Sequence, residues 1–237
     1  MRHGPRRIAR TLRRVAAETM PGAITHVATE EPAAALTFDD GPHPEFTPRL
    51  LDVLGRHHAR ATFFMVGEKA HQRPELVRMV AQQGHEIANH SWNHARFPTL
   101  TGHARRAQIR ACAAAIAPYG QRLFRPPHGE ENVACQVDTL WLRHTVVAWS
   151  LAVDDWCSTD VAWMAERLTR GIRSGSIVLL HDGMCDAPDE RHCDREPMLR
   201  AVDIALERLR GRLRFVTVSE LLRTGTAKRM WSHLNNR

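Results

Sequence analysis

Residues 33–38 form a short, mostly apolar run that ends at two adjacent aspartates, Asp39 and Asp40, followed by Gly41 and Pro42. Runs of this kind are typical of strands that are buried on both faces of a parallel sheet. Two neighbouring carboxylates repel each other, so both stay ionised only beside a cation or a strong hydrogen-bond donor. The segment therefore predicts a buried strand that ends at a functional site, with metal ligands and a positive partner elsewhere in the chain.

Seven predicted strands alternate with segments of helical periodicity. The predicted strands are residues 33–38, 61–66, 85–89, 122–124, 145–149, 176–180 and 214–218. The predicted helices are residues 47–57, 74–83, 101–117, 159–172, 197–209 and 219–222. This alternation favours an α/β domain with a parallel sheet. In a chain of 237 residues, the number of strands favours barrel-like closure over an open sheet.

The first fourteen residues form a basic arm without an acidic residue, in a chain whose net charge is +7. The arginines of this arm are Arg2, Arg6, Arg7, Arg10, Arg13 and Arg14. We interpret the arm as a solvated helical face, and contact with an acidic membrane, a polyanionic glycan or nucleic acid is the alternative. No aromatic residue alternates with these arginines, so a stacking platform is absent and no nucleic-acid partner is expected.

The residues after Arg14 are too polar and too short to form the apolar core of a secretion signal. A cytoplasmic protein is therefore expected, or a secreted or cell-envelope protein if the N-terminus is incomplete. No apolar run approaches the roughly 20 residues of a membrane span. Five cysteines without a CxxC pair fit a reducing compartment, although Cys185 and Cys193 share a loop and are candidates for a disulfide.

Titratable residues follow five of the predicted strands. They are Asp39 and Asp40 after the first strand, His90 and His94 after the third, Arg125 after the fourth, Asp154 and Asp155 after the fifth, and His181 after the sixth. In a barrel of parallel strands these positions lie on one rim, at the carboxyl ends of the strands, where such folds place their chemistry. The sequence thus predicts one pocket formed by five distant segments.

Two histidines four residues apart, His90 and His94, are candidate metal ligands. On a helical turn, side chains at this spacing share a face, so both imidazoles can bind one ion. With one aspartate they form a His-His-carboxylate site, which suits zinc, accepts other divalent ions and leaves a coordination position for water. Such an ion lowers the pKa of the water and polarises a substrate oxygen.

Two further segments of the rim contain candidate catalytic groups. Arg125 begins a turn with two prolines and a glycine, which can aim its guanidinium at a carboxylate and a main-chain N–H at a developing oxyanion. His181 follows a buried strand and is a candidate general acid, which Asp154 or Asp155 can orient. Trp156 can line an apolar wall, stack on a sugar, or pack in the core.

These motifs, in this order, resemble those of the NodB-like polysaccharide deacetylases, carbohydrate esterase family 4. The matching segments are residues 37–42, 90–94, 125–129, 155–156 and 179–181. The resemblance implies a distorted (β/α)7 barrel as a single domain over residues 33–222, between the basic arm (1–32) and a C-terminal tail (223–237). It also implies metal-dependent hydrolysis of acetyl groups, usually N-acetyl groups on amino sugars.

The resemblance also implies a role for each matching residue. Asp40, His90 and His94 resemble the metal ligands, Asp39 the catalytic base, Arg125 the residue that orients the base, His181 the catalytic acid, and Pro127, His128 and Trp156 the oxyanion and substrate contacts. The oxyanion would be bound by the main-chain N–H of His128. The partner of the acid is an aspartate near Trp156, and we favour Asp155 over Asp154.

Three features depart from the family pattern. His128 stands where many members have tyrosine, and Ala152 stands where many have a further aspartate. The polar loop over residues 182–196 matches no family motif, and a second metal site there is an alternative. Its potential ligands are Cys185, Asp186, His192 and Cys193.

We therefore expect a metal-dependent hydrolase that removes acetyl groups from N-acetylated amino sugars of a poly- or oligosaccharide. The alternatives are hydrolysis of an O-acetyl ester or another non-peptide amide, and a glycan-binding protein without catalysis. The expected ion is Zn²⁺, with Co²⁺, Ni²⁺, Mn²⁺ and Fe²⁺ as alternatives. Peptidoglycan, chitin oligosaccharides and a smaller amino-sugar intermediate all fit the motifs, and the sequence leaves the oligomeric state open.

Overall fold

The computed structural model describes residues 22–187 and 189–230. The strands are β1 (Ala23–Ala28), β2 (Ala33–Asp39), β3 (Ala61–Met65), β4 (Glu86–Asn89), β5 (Gly120–Phe124), β6 (Thr145–Val146), β7 (Leu151–Ala152), β8 (Ile177–His181), β9 (Arg214–Phe215) and β10 (Thr226–Met230). The helices are α1 (Phe46–Arg56), α2 (Gly67–Gln72), α3 (Pro74–Gln82), α4 (Gly102–Ala115), α5 (Val133–Trp141), α6 (Val161–Gly171), α7 (Glu196–Leu209) and α8 (Val218–Leu221). Short 3₁₀ helices cover Phe97–Thr99, Pro127–Gly129 and Glu190–Cys193.

Seven parallel strands form a curled sheet in the order β6-β5-β4-β3-β2-β8-β7, and β9 pairs with the first residues of β2. Strand β2 lies in the middle of the sheet and is buried along its whole length. Asp39 at its end lies beside Phe64 of β3 and His181 of β8. Because the strands run in the same direction, their carboxyl ends form one rim. The predicted distorted barrel in a single domain is confirmed, as a half-barrel surrounded by helices.

The two edge strands of the sheet, β6 and β7, are consecutive in the sequence. We predicted one strand over residues 145–149, but β6 ends at Val146, and the last hydrogen bond to β5 runs from Val147 N–H to the Phe124 carbonyl at 2.9 Å. The peptide groups that follow bond in other directions. Ala148 N–H donates to the Ile24 carbonyl at 2.7 Å, and Ser150 N–H donates to the Ile177 carbonyl at 2.9 Å. The chain thus crosses from one edge of the sheet to the other, and β1 contacts the crossing segment at Val147.

A second sheet of two antiparallel strands, β1 and β10, lies outside the predicted domain boundaries. The sequence analysis assigned β1 to the N-terminal arm and β10 to the C-terminal tail, so regular structure extends from Ala23 to Met230. Strand β1 is largely buried, but Thr25 and His26 interrupt its apolar residues, and β10 is mostly exposed. The arginines of the basic arm lie outside the described residues, so their interpretation stays a prediction.

The helices pack their apolar faces against the outside of the sheet. In α1, for example, Leu50, Leu51 and Leu54 recur at helical spacing and are buried. Each buried leucine contributes about 1.5–3 kcal/mol relative to an exposed one. The six predicted helices are present within a few residues of their predicted bounds. No helix in the described part of the chain is long and apolar enough to cross a membrane.

The sequence analysis missed helices α2 and α5. Helix α2 has only six residues and a largely polar sequence, so it shows no helical periodicity. It packs closely on α4, because a Cβ at Gly67 would lie 2.7 Å from the Cα of Cys112. This close packing places Lys69, in the middle of α2, at the rim of the sheet, where its ammonium donates to the Asp40 carbonyl at 2.8 Å.

Candidate active site

The rim at the carboxyl ends of the strands brings together the titratable residues singled out in the sequence. They are Asp39 and Asp40 after β2, His90 and His94 after β4, Arg125 after β5, Asp154 and Asp155 after β7, and His181 at the end of β8. All of them are buried or half-buried. Their proximity is observed here, while their chemical roles stay predictions.

Arg125 is completely buried and binds Asp39. Its Nη1 donates to Asp39 Oδ1 at 2.6 Å and to Thr37 Oγ1 at 2.8 Å, and its guanidinium lies 4.1 Å from the centre of the Phe64 ring. Burial lowers the pKa of Arg125, but contact with Asp39 opposes that shift. The pair therefore satisfies one carboxylate oxygen of Asp39 and leaves Oδ2, which lies 3.7 Å from Nε2 of His90.

The neighbouring aspartate, Asp40, points towards the two histidines. Its Oδ1 lies 3.4 Å from Nε2 of His90 and 3.2 Å from Nε2 of His94. The residue is 3 % exposed, yet Oδ1 has no hydrogen-bond partner in the described part of the chain. A buried carboxylate oxygen without a partner is costly unless a cation neutralises it.

The donor set around Asp40 suits a divalent metal ion. With metal–ligand bonds of about 2.1 Å and tetrahedral geometry, neighbouring ligand atoms are separated by about 3.4 Å. The two distances from Asp40 Oδ1 to the imidazole nitrogens of His90 and His94 agree with this separation. Asp40 Oδ1 is thus spaced from each of the two nitrogens as two ligands of one ion would be, and the carboxylate and imidazole groups suit a divalent metal.

Hydrogen bonds behind the imidazoles select the tautomer that leaves Nε2 free. His90 Nδ1–H donates to the carbonyl of Arg125 at 2.8 Å, because a carbonyl can only accept. Nδ1 of His94 lies 2.9 Å from Asp186 Oδ2 and donates to it. Both rings thus direct a nitrogen lone pair towards Asp40, and the bonds behind them restrict their orientation.

The charges of these groups are those of metal ligands near neutral pH. Burial opposes ionisation of Asp40, but the imidazoles of His90, His94 and His181 hold its pKa well below the usual range. Burial and the nearby His90 lower the pKa of His94 to about 4. A charged carboxylate and a neutral imidazole are the forms that bind a metal ion.

The backbone around the histidines differs from our expectation. We predicted that His90 and His94 lie on a helical turn, but the segment is an irregular loop. Ser91 and His94 have φ angles of 69° and 59°, in the left-handed region. No helical turn is present here to place the two imidazoles on a common face. They come close to each other because the chain reverses direction after β4.

Asp155, and not Asp154, contacts the candidate acid. Its Oδ1 lies 3.0 Å from His181 Nδ1, and its Oδ2 accepts the main-chain N–H of His181 at 2.9 Å. Burial alone would lower the pKa of His181, but Asp155, with Asp40 and Asp39, raises it to about 9. The imidazole therefore carries a proton at neutral pH, as a general acid must.

A buried arginine that the sequence analysis missed lies behind Asp155. Arg195 is 1 % exposed, and its Nη1 lies 3.9 Å from Asp155 Oδ2. Its Nη2 donates to the main-chain carbonyl of Asp155 at 2.5 Å. Arg195 precedes α7 and is distant in sequence from Asp155, so no local pattern could have identified it.

The turn after Arg125 lies at the rim next to His94, while the oxyanion and substrate roles of its residues stay predictions. Pro127 is buried, and His128 has a φ angle of 58°. The His128 ring lies 4.5 Å from that of His94, between ring centres. Trp156 follows Asp155 and is 43 % exposed, so it is not part of the core. Its indole is available to a ligand at the edge of the rim.

The polar loop after β8 also reaches the metal site. Cys185 N–H donates to Asp40 Oδ2 at 3.0 Å, and Asp186 contacts His94 as described above. Cys185 and Cys193 both carry free thiols, so the candidate disulfide between them is not formed. The clustering of Cys, Asp and His residues in this loop was the only signal in the sequence for its position at the rim.

Two groups of potential ligands have all their donor atoms within 4.8 Å of one another. One consists of Asp40, His94 and Cys185, and the other of His94, His128 and Asp186. Neither group includes His90, which contacts this part of the rim through Asp40. The donor atoms that lie closest together are therefore not those of the predicted trio, because Asp40 and His94 are grouped with Cys185 in place of His90.

Comparison with known proteins agrees with this geometry. The family model for polysaccharide deacetylase matches residues 26–140. The chain is 37% identical over 208 residues to a peptidoglycan-N-acetylglucosamine deacetylase from Bacillus cereus, covering 85% of this chain and 94% of the relative. It is 38% identical over 174 residues to a chitooligosaccharide deacetylase from Sinorhizobium fredii, covering 70% and 79%.

The fold is also shared with a solved structure. A family 4 carbohydrate esterase from Streptomyces lividans superposes with a TM-score of 0.72 at 30% sequence identity, covering 85% of this chain and 99% of that one. Motifs, fold and relatives thus agree along most of the described residues. The chain belongs to the polysaccharide deacetylases, the NodB-like proteins of carbohydrate esterase family 4.

Proposed function

We propose that this protein is a metal-dependent N-deacetylase that releases acetate from N-acetylated amino sugars of a glycan. The observation that carries the proposal is Asp40 Oδ1, which is buried, has no partner in the described part of the chain, and lies between the Nε2 atoms of two imidazoles. A candidate base and a candidate acid lie on either side of it, with Asp39 and His181 on neighbouring strands.

Asp40, His90 and His94 would hold the ion. When bound, a divalent ion supplies Lewis acidity to the acyl oxygen and makes water a better nucleophile. The remaining chemistry is assigned to protein groups on the rim. It requires no covalent intermediate on a serine or cysteine.

Asp39 would accept the proton of the attacking water on Oδ2, because its Oδ1 is bound by Arg125. Arg125 fixes the orientation of Asp39. The main-chain N–H of His128 would donate to the developing oxyanion. A general base and an oxyanion donor each typically contribute about two or more orders of magnitude in rate.

His181 would donate its proton to the sugar nitrogen as the carbon–nitrogen bond breaks. Asp155 accepts the hydrogen bond from Nδ1 and favours the protonated imidazole. The products are acetate and a free amine, and the proton that water gives to Asp39 balances the one that His181 loses. The matched base and acid argue against a protein that only binds glycans.

The substrate class follows from the relatives. Their names specify N-acetylglucosamine in peptidoglycan and chitooligosaccharides, and the S. lividans esterase was solved in complex with acetate. The exposed indole of Trp156, next to Asp155, offers an apolar face of the kind on which sugar rings stack. We propose an N-acetylglucosamine-containing glycan as the substrate.

The test is acetate release by the zinc-loaded protein from chitooligosaccharides of several lengths, from peptidoglycan and from an O-acetylated xylan. Acetate release from the N-acetylated glycans, abolished together with metal content in His90→Ala, is expected. Release from the ester alone would identify an esterase instead. Tight glycan binding without turnover, with zinc and with cobalt, would contradict the proposed enzyme.

A further inference from the structure

The loop after β8 places a free thiol next to the proposed metal site. Cys185 Sγ lies within 4.8 Å of the donor atoms of both Asp40 and His94. Cys185 is half-buried, and its thiol is not in a disulfide. The motifs that carry the family resemblance lie outside this loop and assign no ligand to it.

Several contacts fix this part of the loop against the site. Cys185 N–H donates to Asp40 Oδ2, and Lys69 Nζ donates to the carbonyls of Asp40 and Met184 at 2.8 and 3.2 Å. Gly183 approaches Asp40 so closely that a Cβ there would lie 2.6 Å from the Asp40 carbonyl oxygen. The thiol is therefore positioned by its own backbone and does not depend on a flexible side chain to reach the site.

The second observation concerns Asp40 itself. The main-chain N–H of Cys185 occupies Oδ2, whereas Oδ1 is buried without a hydrogen bond in the part of the chain described here. One oxygen of the Asp40 carboxylate, Oδ2, thus contacts the loop, and the other, Oδ1, faces the imidazoles. An ion bound by this carboxylate would have His94 and the sulfur as close neighbours, and His90 Nε2 lies 3.4 Å from Oδ1.

We propose that Cys185 is a fourth protein ligand of the ion, through its thiolate. The inference rests on the proposed metal-dependent function. On metal binding the sulfur–hydrogen bond breaks, the proton leaves to solvent, and a metal–sulfur bond forms, so charge and atoms balance. Because thiolate ligands favour softer ions, a thiolate at this site would favour Zn²⁺ over Mg²⁺ or Mn²⁺.

The experiment uses cobalt as a spectroscopic substitute for zinc in the full-length protein. Thiolate bound to Co²⁺ gives a sulfur-to-cobalt charge-transfer band in the near ultraviolet, whereas nitrogen and oxygen ligands give only the weaker visible bands. Wild type, Cys185→Ser and Cys193→Ser are compared. Cys193 is the matched control, because it lies in the same loop with a free, exposed thiol.

The charge-transfer band is expected in wild type and in Cys193→Ser, and not in Cys185→Ser, which should retain the visible bands. Removing a residue that only hydrogen-bonds to a metal ligand typically weakens metal affinity by about 10–100-fold. Loss of a direct ligand in Cys185→Ser should weaken zinc affinity by at least this factor. Visible bands in wild type without the charge-transfer band would show that Cys185 is not a ligand, and would still support a metal site formed by nitrogen and oxygen ligands. No cobalt bands in any variant would overturn the proposed metal-dependent function as well.

Discussion

Arg125 and Asp39 form an ion pair that is almost completely removed from solvent, with 2.6 Å between Nη1 and Oδ1. The guanidinium also donates to Thr37 and to the carbonyls of Val147 and Ala148. One residue thus links the end of β2 to the crossing segment that closes the sheet. The same contact that orients the candidate base therefore also stabilises the half-barrel.

The first prediction concerns the base. Asp39→Asn keeps an oxygen that can accept from Arg125 but cannot take a proton from water. We expect kcat to fall by about 100-fold or more, in the range typical of a lost general base. Zinc content, measured by atomic emission, should stay near that of wild type because the proposed ligands are intact. Unchanged deacetylation would show that another group is the base.

The second prediction concerns stability. Arg125→Met leaves the Asp39 carboxylate buried without its partner, which typically costs about 3–5 kcal/mol. We expect the free energy of unfolding to fall by about this amount in a urea titration. Arg96→Met is the matched control, because Arg96 forms an exposed ion pair with Glu130 and such pairs contribute only about 0–1 kcal/mol. Equal losses in the two variants would contradict a structural role for the buried pair.

The third prediction concerns pH. The pKa of His181 rises from its usual value of 6.5 to about 9 in the folded protein, so folding favours the protonated form. The stability that this group contributes is complete below pH 6.5 and is lost as pH rises through about 9. In the metal-free protein, we expect the free energy of unfolding to fall across this window, and less so in Asp155→Asn.

NMR titration of the imidazole provides the independent measurement for that prediction. The folded-state pKa of His181 should be lower in Asp155→Asn than in wild type, because a neutral amide replaces the carboxylate that contacts Nδ1. An identical pKa in both proteins would show that Asp155 does not control the charge of His181.

The fourth prediction concerns the loop after β8. Asp186 accepts from Nδ1 of His94, and removing such a partner typically weakens metal affinity by about 10–100-fold. We expect Asp186→Asn to weaken zinc binding in calorimetry by this factor. Asp189→Asn is the control, since Asp189 lies in the same loop and binds Arg191, away from the metal site. The same loss in both variants would point to a general effect of charge in the loop.

Much of the fold was predictable because it depends on local patterns. The continuous burial of β2 agrees with its apolar run, and α6 begins within two residues of the predicted start at 159, where Asp160 caps it. Strands β1 and β10 could not be found in this way. They pair with each other across almost the whole chain, Thr25 and His26 interrupt the apolar residues of β1, and β10 is mostly exposed.

The site was predictable only in part. The titratable residues at the strand ends were expected on one rim, because parallel strands have their carboxyl ends on the same side. The choice of Asp155 over Asp154 depended on which side chain faces β8, and adjacent residues cannot be distinguished by spacing alone. Cys185 and Asp186 were indicated only by the clustering of potential ligands in their loop, and Arg195 comes from a segment without regular periodicity, so its position was not predictable.

By itself, the sequence determined the alternation of strands and helices and the types of group that the rim offers. Periodicity and residue chemistry are local properties, which can be read along the chain. The tertiary structure alone decided which carboxylate faces which imidazole, and that a thiol lies beside Asp40. These contacts depend on the curl of the sheet and on how the loops fold back over its rim, and such long-range packing leaves no trace in local sequence patterns.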